Sequence, residues 1–354
     1  MTELYNMLRD RLDTMATGYP ATESGVEIRI LKQLFSEEDA ALFLAMSTEP
    51  QTADAYASRL GTDLASITSQ LEDMARRGLI FRLKEGGTTR YLAVPFIVGI
   101  YEFQLNHLNT QLLKDMSEYY ITALGSTFHS LKTPHLRSIP INSQIASKKP
   151  ISSYDDAAAI IKSKSRIAVA DCLCRKAVRM YGKGCSHPLE TCLQFDSFAD
   201  YYTDNGMARS IDTNEALEIL KRNEGEGLVI QIPNSQNVEA MCACCTCCCG
   251  MLISLKLFPS PDREVMSNYV CQVEDEMCTS CGTCLKRCPV GAVMLNEGRA
   301  SFRPGRCIGC GLCVTTCQGE ARTITRKPDG EIYTPPKTMP DTFVLMKSER
   351  NRSS

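Results

Sequence analysis

Two cysteine runs near the C-terminal end of the chain, Cys278, Cys281, Cys284, Cys288 and Cys307, Cys310, Cys313, Cys317, share the spacing CxxCxxCxxxC. Three thiols at every third position wrap a short loop around one side of a polynuclear centre. The fourth lies too far along to close the same site, so this spacing pairs it with the opposite run. On that rule one 4Fe-4S cluster takes Cys278, Cys281, Cys284 and Cys317, and a second takes Cys307, Cys310, Cys313 and Cys288. The chain then has to fold with its two cluster loops crossed. Structural zinc is the competing use of such cysteines, but zinc sites set paired cysteines apart by a long insert, which neither run does.

From about residue 270 to 326 the sequence resembles bacterial two-cluster ferredoxins, on these two runs and on Pro289 directly after Cys288. The resemblance covers about a sixth of the chain. It implies a small pseudo-twofold domain of two cluster loops, each followed by a short helix, that relays single electrons. Gln318 stands where the first run has Pro289, a departure that bears on the local turn and not on ligation.

At 354 residues the chain exceeds one typical domain, and 44% hydrophobic content suits packed globular structure. No apolar stretch approaches the roughly 20 residues that cross a bilayer; Tyr91 to Tyr101 is the longest candidate and contains Pro95. The N-terminus lacks the basic-then-apolar pattern of an export signal. Nineteen cysteines, an odd number, with cluster-like spacing point to a reducing, cytoplasmic setting and not to a disulfide framework. A net charge of −2 directs the chain to neither nucleic acid nor membrane as a whole.

Residues 1–125 read as a helical domain similar to a winged helix. Ser36 followed by Glu37, Glu38 and Asp39 starts a helix to about Met46. Thr52 to Leu60 forms a second, ended by Gly61, and Asp63 to Arg77 a third with Ile67, Leu71 and Met74 on one stripe. Leu79 to Leu83 and Thr88 to Val94 then flank a Glu85-Gly86-Gly87 turn as a hairpin. Such folds commonly read DNA, but the third helix offers Asp63, Glu72 and Asp73 and no base-reading arginine in its leading turn. Only Arg82, Lys84 and Arg90 of the hairpin suit phosphate contacts. A role in protein interaction or dimerisation is therefore favoured over DNA binding. Residues 97–123 are expected to continue as an amphipathic helix with Phe103, Leu108, Leu112, Met116 and Tyr119 on one face, a core helix or a homodimer contact.

Residues 126–153, rich in Ser, Pro and Lys, read as a linker, 154–265 as a Cys-rich α/β middle domain, 266–328 as the two-cluster ferredoxin-like domain, and 329–354 as a C-terminal tail. The fold class is thus multi-domain α+β. In the middle, Asp156 to Lys162 is expected to be helical, and Ile167 to Ala170 is a buried strand that delivers Cys172 and Cys174 at its tip. A helix capped by Asp212 and Glu215 and a strand over Leu228 to Ile232 follow. Cys172, Cys174, Cys185 and Cys192 are assigned to a third centre, iron–sulfur or zinc, the alternative being buried free thiols. Arg175, Lys176 and Arg179 beside them favour thiolates and the reduced state of a cluster. Cys242, Cys244, Cys245, Cys247, Cys248 and Cys249 place six thiols in eight residues, and which of them bind metal is left open. His187 is read as a ligand, a proton donor or a turn residue, and Cys271 as structural.

End to end, the layout resembles uncharacterised prokaryotic 4Fe-4S dicluster proteins, often of anaerobes, with a helical N-terminal domain and a Cys-rich middle. The first functional reading is an iron–sulfur electron carrier passing low-potential electrons to its Cys-rich domain or to a partner oxidoreductase. The alternatives are a reductase acting on a disulfide or similar acceptor in the middle domain, and a redox-responsive DNA-binding regulator. No dinucleotide or phosphate-binding glycine loop is present in the sequence.

Overall fold

The computed structural model describes residues 2–141, 152–303 and 305–353. These divide into two compact units, one of Met1–Thr133, Asp200–Met207 and Pro340–Ser354, the other of Pro134–Ala199 and Ala208–Met339. Of the segment read as a linker, residues 142–151 lie outside the described residues. Its earlier part holds the short helix Gly125–Ser130 and a strand, Leu136–Ser138.

In the first unit the helices stand where their caps place them. Ser36 accepts from the Asp39 N–H at 3.1 Å while Asp39 accepts from the Ser36 N–H at 2.9 Å, which satisfies two N-terminal donors of the helix Glu37–Ala45. Thr52 caps Ala53–Leu60 and Asp63 caps Leu64–Arg76. The hairpin follows as β1 (Phe81–Glu85) and β2 (Thr88–Leu92), antiparallel, with Gly86-Gly87 between them.

The long helix expected over 97–123 does not form. Residues 96–107 are irregular, with Ile97, Val98 and Gly99 outside helical backbone angles. A new helix, Thr110–Tyr119, starts only where Asn109 accepts from the Leu112 N–H at 2.9 Å. Proline at 95 and glycine at 99 break the backbone run that the apolar periodicity suggests. Leu112, Met116 and Tyr119 are buried in the unit's own core, and Arg29 from the helix Val26–Leu34 pairs with Asp115 and Glu118 alongside.

Two distant pieces complete this unit. Residues 200–207 insert Tyr201, whose ring packs on Phe81 and Phe103 at 4.7 and 4.6 Å and whose hydroxyl donates to the carbonyls of Ala75 and Ile80. The stretch read as a tail carries a helix, Met339–Ser353, with Arg350 on Asp13 and Glu349 accepting from the N–H groups of Lys132 and Thr133.

The second unit is built on a six-stranded sheet of β3 (Leu136–Ser138), β4 (Ile167–Asp171), β5 (Glu190–Phe195), β6 (Ala208–Ile211), β7 (Val229–Pro233) and β8 (Ala240–Cys244), in the spatial order β3-β7-β8-β5-β4-β6. Every neighbouring pair is antiparallel, so the middle segment is not the α/β arrangement expected. The helices between strands return the chain in antiparallel sense and do not act as parallel crossovers. Asp156 caps the helix Ala157–Lys162 and Asp212 caps Thr213–Gly225; their apolar sides, Ile160, Ile161, Ala216, Ile219 and Leu220, share one core with Ile167, Val169, Leu193, Phe195 and Ile230.

The segment bearing the two cysteine runs belongs to the same unit. Its strand β9 (Tyr269–Val273) is followed by the hairpin β10 (Val293–Asn296) and β11 (Arg299–Phe302), and β12 (Arg322–Arg326) pairs back on β9. A second apolar core joins it to the sheet. Val229, Cys244, Cys249, Leu252 and Leu255 pack with Val290, Ala292, Ile308 and Leu312. Asp155 ties them further, bonding Arg137 on β3 at 2.5 Å and accepting from Asn268 at 2.8 Å.

Candidate metal centres

The loop bearing Cys307, Cys310 and Cys313 is pressed onto β9. At Gly309 the backbone has φ +64°, and an added Cβ would lie 2.3 Å from both the Ser267 hydroxyl and the Tyr269 carbonyl, so only glycine permits the approach. Behind this loop lies a small cavity. Cys307, Cys310 and Cys313 line it together with Cys288, which arrives from the other run. Val290, Ala292, Val293, Phe302, Ile308 and Ile324 supply apolar walls. Burial pushes the Cys307 and Cys310 thiols up, while Cys313 is raised first by its hydrogen bond with Cys271 and then by burial. The donor set and the apolar walls suit a thiolate-bound cluster.

The first run lies at the surface. Cys281 is exposed and Cys278 partly so. Backbone N–H groups around Cys278, from Ala300 and Ser280, and the Thr283 hydroxyl 3.5 Å from Cys281 draw both thiols down from their ordinary range. Cys284 is buried, which pushes its thiol up against the pull of Arg322. Cys317 is partly buried at the end of the second run.

Arg322, which carried no signal in the sequence, sits between the two runs. Its guanidinium donates to Cys284 Sγ at 3.0 Å and to Cys271 Sγ at 3.9 Å, and stacks on Phe302 at 4.7 Å. Cys271, read as a structural thiol, faces the cavity with its Sγ 3.4 Å from that of Cys313.

In the middle segment the sheet gathers thiols from several strands. Cys172 precedes the helix Leu173–Met180, with Cys174 in its first turn; Cys192 lies on β5, Cys242 and Cys244 on β8, and Cys249 precedes the helix Gly250–Leu255. Pairing of Ala170 with Cys192 and of Leu193 with Met241 brings β4, β5 and β8 side by side. Cys192 and Cys242 are 3.9 Å apart at sulfur. Hydrogen bonds then link Cys242 to Cys244, Cys244 to Cys249, Cys249 to Cys174 and Cys174 to Cys172. The bonds sort the thiols into two kinds. Cys242, receiving from Cys192 and Cys244, and Cys249, receiving from Cys174 and Cys244, are held well down, while Cys192 and Cys244 are pushed up by the same bonds and by burial, and Cys172 by its bond with Cys174 and by burial.

Cys185, grouped in the sequence reading with Cys172, Cys174 and Cys192, has other neighbours. Its Sγ lies with those of Cys245, Cys247 and Cys248, all four within 4.8 Å of one another. Between the two groups stands Arg175, wholly buried, which donates to Pro188 O, to Thr191 Oγ1 at 2.9 Å and to Ala243 O at 2.5 Å. Against the cost of burial, its hydrogen bond brings Cys245 down to about 7. His187 does not face the thiols with Nδ1, which lies 2.7 Å from Glu226.

In comparison with known proteins, residues 277–322 match the family model described as a 4Fe-4S dicluster domain. No curated protein and no solved structure matches the chain. The match supports an iron–sulfur, ferredoxin-like domain in this part of the chain. Among the described residues no helix is long and apolar enough to cross a membrane.

Proposed function

We propose that the chain is an iron–sulfur electron-transfer protein with two 4Fe-4S clusters, relaying low-potential electrons to its Cys-rich segment or to a partner oxidoreductase. The observation that carries this is the cavity lined by Cys288 with Cys307, Cys310 and Cys313, a set that joins the two runs. Cys278, Cys281, Cys284 and Cys317 hold the other cluster in this reading. Clusters so held supply one-electron storage, near roughly −400 mV where solvent access is like that of plant-type ferredoxins. The residues divide the remaining work. Cys278 and Cys281, at the surface, mark the side that a redox partner reaches, and the apolar walls around Cys310 and Cys313 exclude water. Cys244 and Cys249 pack into the same apolar core as Cys288, Cys307 and Cys310, so the inner site borders the Cys-rich set.

Anaerobic purification with iron and labile-sulfide analysis tests the reading, with about eight of each expected per chain. Cys288→Ser and Cys281→Ser should remove different signals from the reduced-state EPR spectrum. Loss of the same signal in both, or unchanged iron in Cys281→Ser, would overturn the crossed assignment.

One observation favours a reductase as the second reading: the hydrogen-bonded set of Cys172, Cys174, Cys192, Cys242, Cys244 and Cys249 on that shared core. Turnover of a disulfide acceptor that survives Cys242→Ser and Cys249→Ser would exclude it. A DNA-binding role has less support. Arg82 is buried against Glu72 and Asp204, and Lys84 pairs with Asp204, so two of three hairpin cations are already engaged.

A further inference from the structure

The geometry points to a site for one metal ion, bound by the four thiolates of Cys185, Cys245, Cys247 and Cys248 and separate from both cluster sites. The argument begins with size. A zinc–thiolate bond of about 2.3 Å in a regular tetrahedron puts neighbouring sulfurs about 3.8 Å apart. The sulfur separations Cys185–Cys245, Cys185–Cys248 and Cys247–Cys248 are each 3.8 Å, and none of the six exceeds 4.8 Å. A cubane gives each thiolate its own iron and so holds the four sulfurs farther apart than a single ion does. Sulfurs this close leave no room for one.

The surroundings are built for that density of charge. Cys185 is carried by the loop after the helix Leu173–Met180, and Arg179 of that helix fixes the loop by donating to the carbonyls of Cys185 and His187 at 2.9 and 2.5 Å. Gly184 has φ +99°, and a Cβ there would lie 3.2 Å from Cys248 Sγ and 3.1 Å from Val178, so a side chain would crowd the sulfur. Cys245 and Cys248 are buried, Cys247 is exposed and Cys185 partly so. Four thiolates and a divalent cation carry a net charge of −2. The buried Arg175, hydrogen-bonded to Cys245, offsets half of it. Four protein ligands leave no open coordination position, which is the structural and not the catalytic form of a zinc site, and an all-thiolate tetrahedron selects zinc or iron over harder cations. Binding the ion pins the loop at 185 to the segment after β8.

This assignment is independent of the two-cluster reading, because iron with matching sulfide measures one and metal without sulfide measures the other. The experiment is zinc, iron and sulfide analysis of the full chain purified anaerobically, with X-ray absorption at the zinc edge. One zinc per chain with four sulfur neighbours is the expected result. One iron in excess of sulfide, with a tetrathiolate iron spectrum, would support the site and name the other ion. Cys247→Ser, at an exposed position, should lose that one metal while cluster iron and EPR signals stay unchanged. A third set of about four irons with four sulfides, no metal beyond the clusters, or zinc with nitrogen or oxygen neighbours would overturn the proposal.

Discussion

Replacing Arg322 by methionine is expected to lower the reduction potential of the cluster proposed at Cys284. The guanidinium lies 3.0 Å from Cys284 Sγ and is buried, 3% exposed, so solvent screens it little. At an effective dielectric of about 20, a unit negative charge at that distance interacts with it by roughly 5.5 kcal/mol. An added electron is shared across a cluster, so a ligand sulfur carries on the order of a tenth to a fifth of it, worth about 0.5–1 kcal/mol or roughly 20–50 mV for one electron. The assay is redox titration of wild type, Arg322→Met and Arg322→Lys under anaerobic conditions, followed by EPR and with iron content measured in each. Methionine keeps apolar volume against Phe302, and lysine keeps the charge while losing the fork geometry. The methionine variant should shift downward by that amount, more in the signal that Cys281→Ser removes than in the other, and lysine should recover part of it. A methionine variant with full iron and a potential within about 10 mV of wild type would refute the idea that this cation stabilises the reduced state.

Other expectations follow from buried groups of the second unit. Asp155→Leu leaves the Arg137 cation, 1% exposed, without its carboxylate and frees Asn268, which should cost about 3–5 kcal/mol and lower the urea midpoint; adding Arg137→Met should restore most of it, and a single variant within about 0.5 kcal/mol of wild type would contradict the pairing. Glu239 is raised to about 7, chiefly by burial, above its unfolded value of roughly 4.3. The folded state then binds this proton more tightly, so stability falls as pH rises between those values and the penalty is complete above 7. Glu239→Gln should flatten that part of the pH–stability curve and stabilise the protein at pH 8; an unaltered slope would show that the carboxyl is already solvated.

Local chemistry made much of this protein legible from its sequence. The helices after Ser36, Thr52, Asp63, Asp156 and Asp212 begin at those caps because a side-chain oxygen has to meet an unpaired N–H within three residues, and three residues is a distance a sequence can display. The two cysteine runs were equally plain, since a cluster loop has to be short. Sequence spacing could not supply what depends on distant partners. The break between 97 and 110 lies under an apolar periodicity that by itself indicates one continuous helix, because spacing carries no record of the backbone turn at Ile97, Val98 and Gly99. Cys185 joined Cys245, Cys247 and Cys248, about sixty residues away, and not its nearer neighbours Cys172, Cys174 and Cys192, because β4, β5 and β8 lie side by side and fix which loops meet. Arg322 resembled any surface cation until β12 paired with β9 and buried it beside sulfur, and Arg175, expected beside Cys172 and Cys174, proved to be the one buried against Cys245. The sequence by itself thus determined where the capped helices begin and which residues offer thiols, as both depend on groups a few residues apart. Only the tertiary structure decided which thiols share a site and which cations neutralise them, because charge and coordination depend on distance through space.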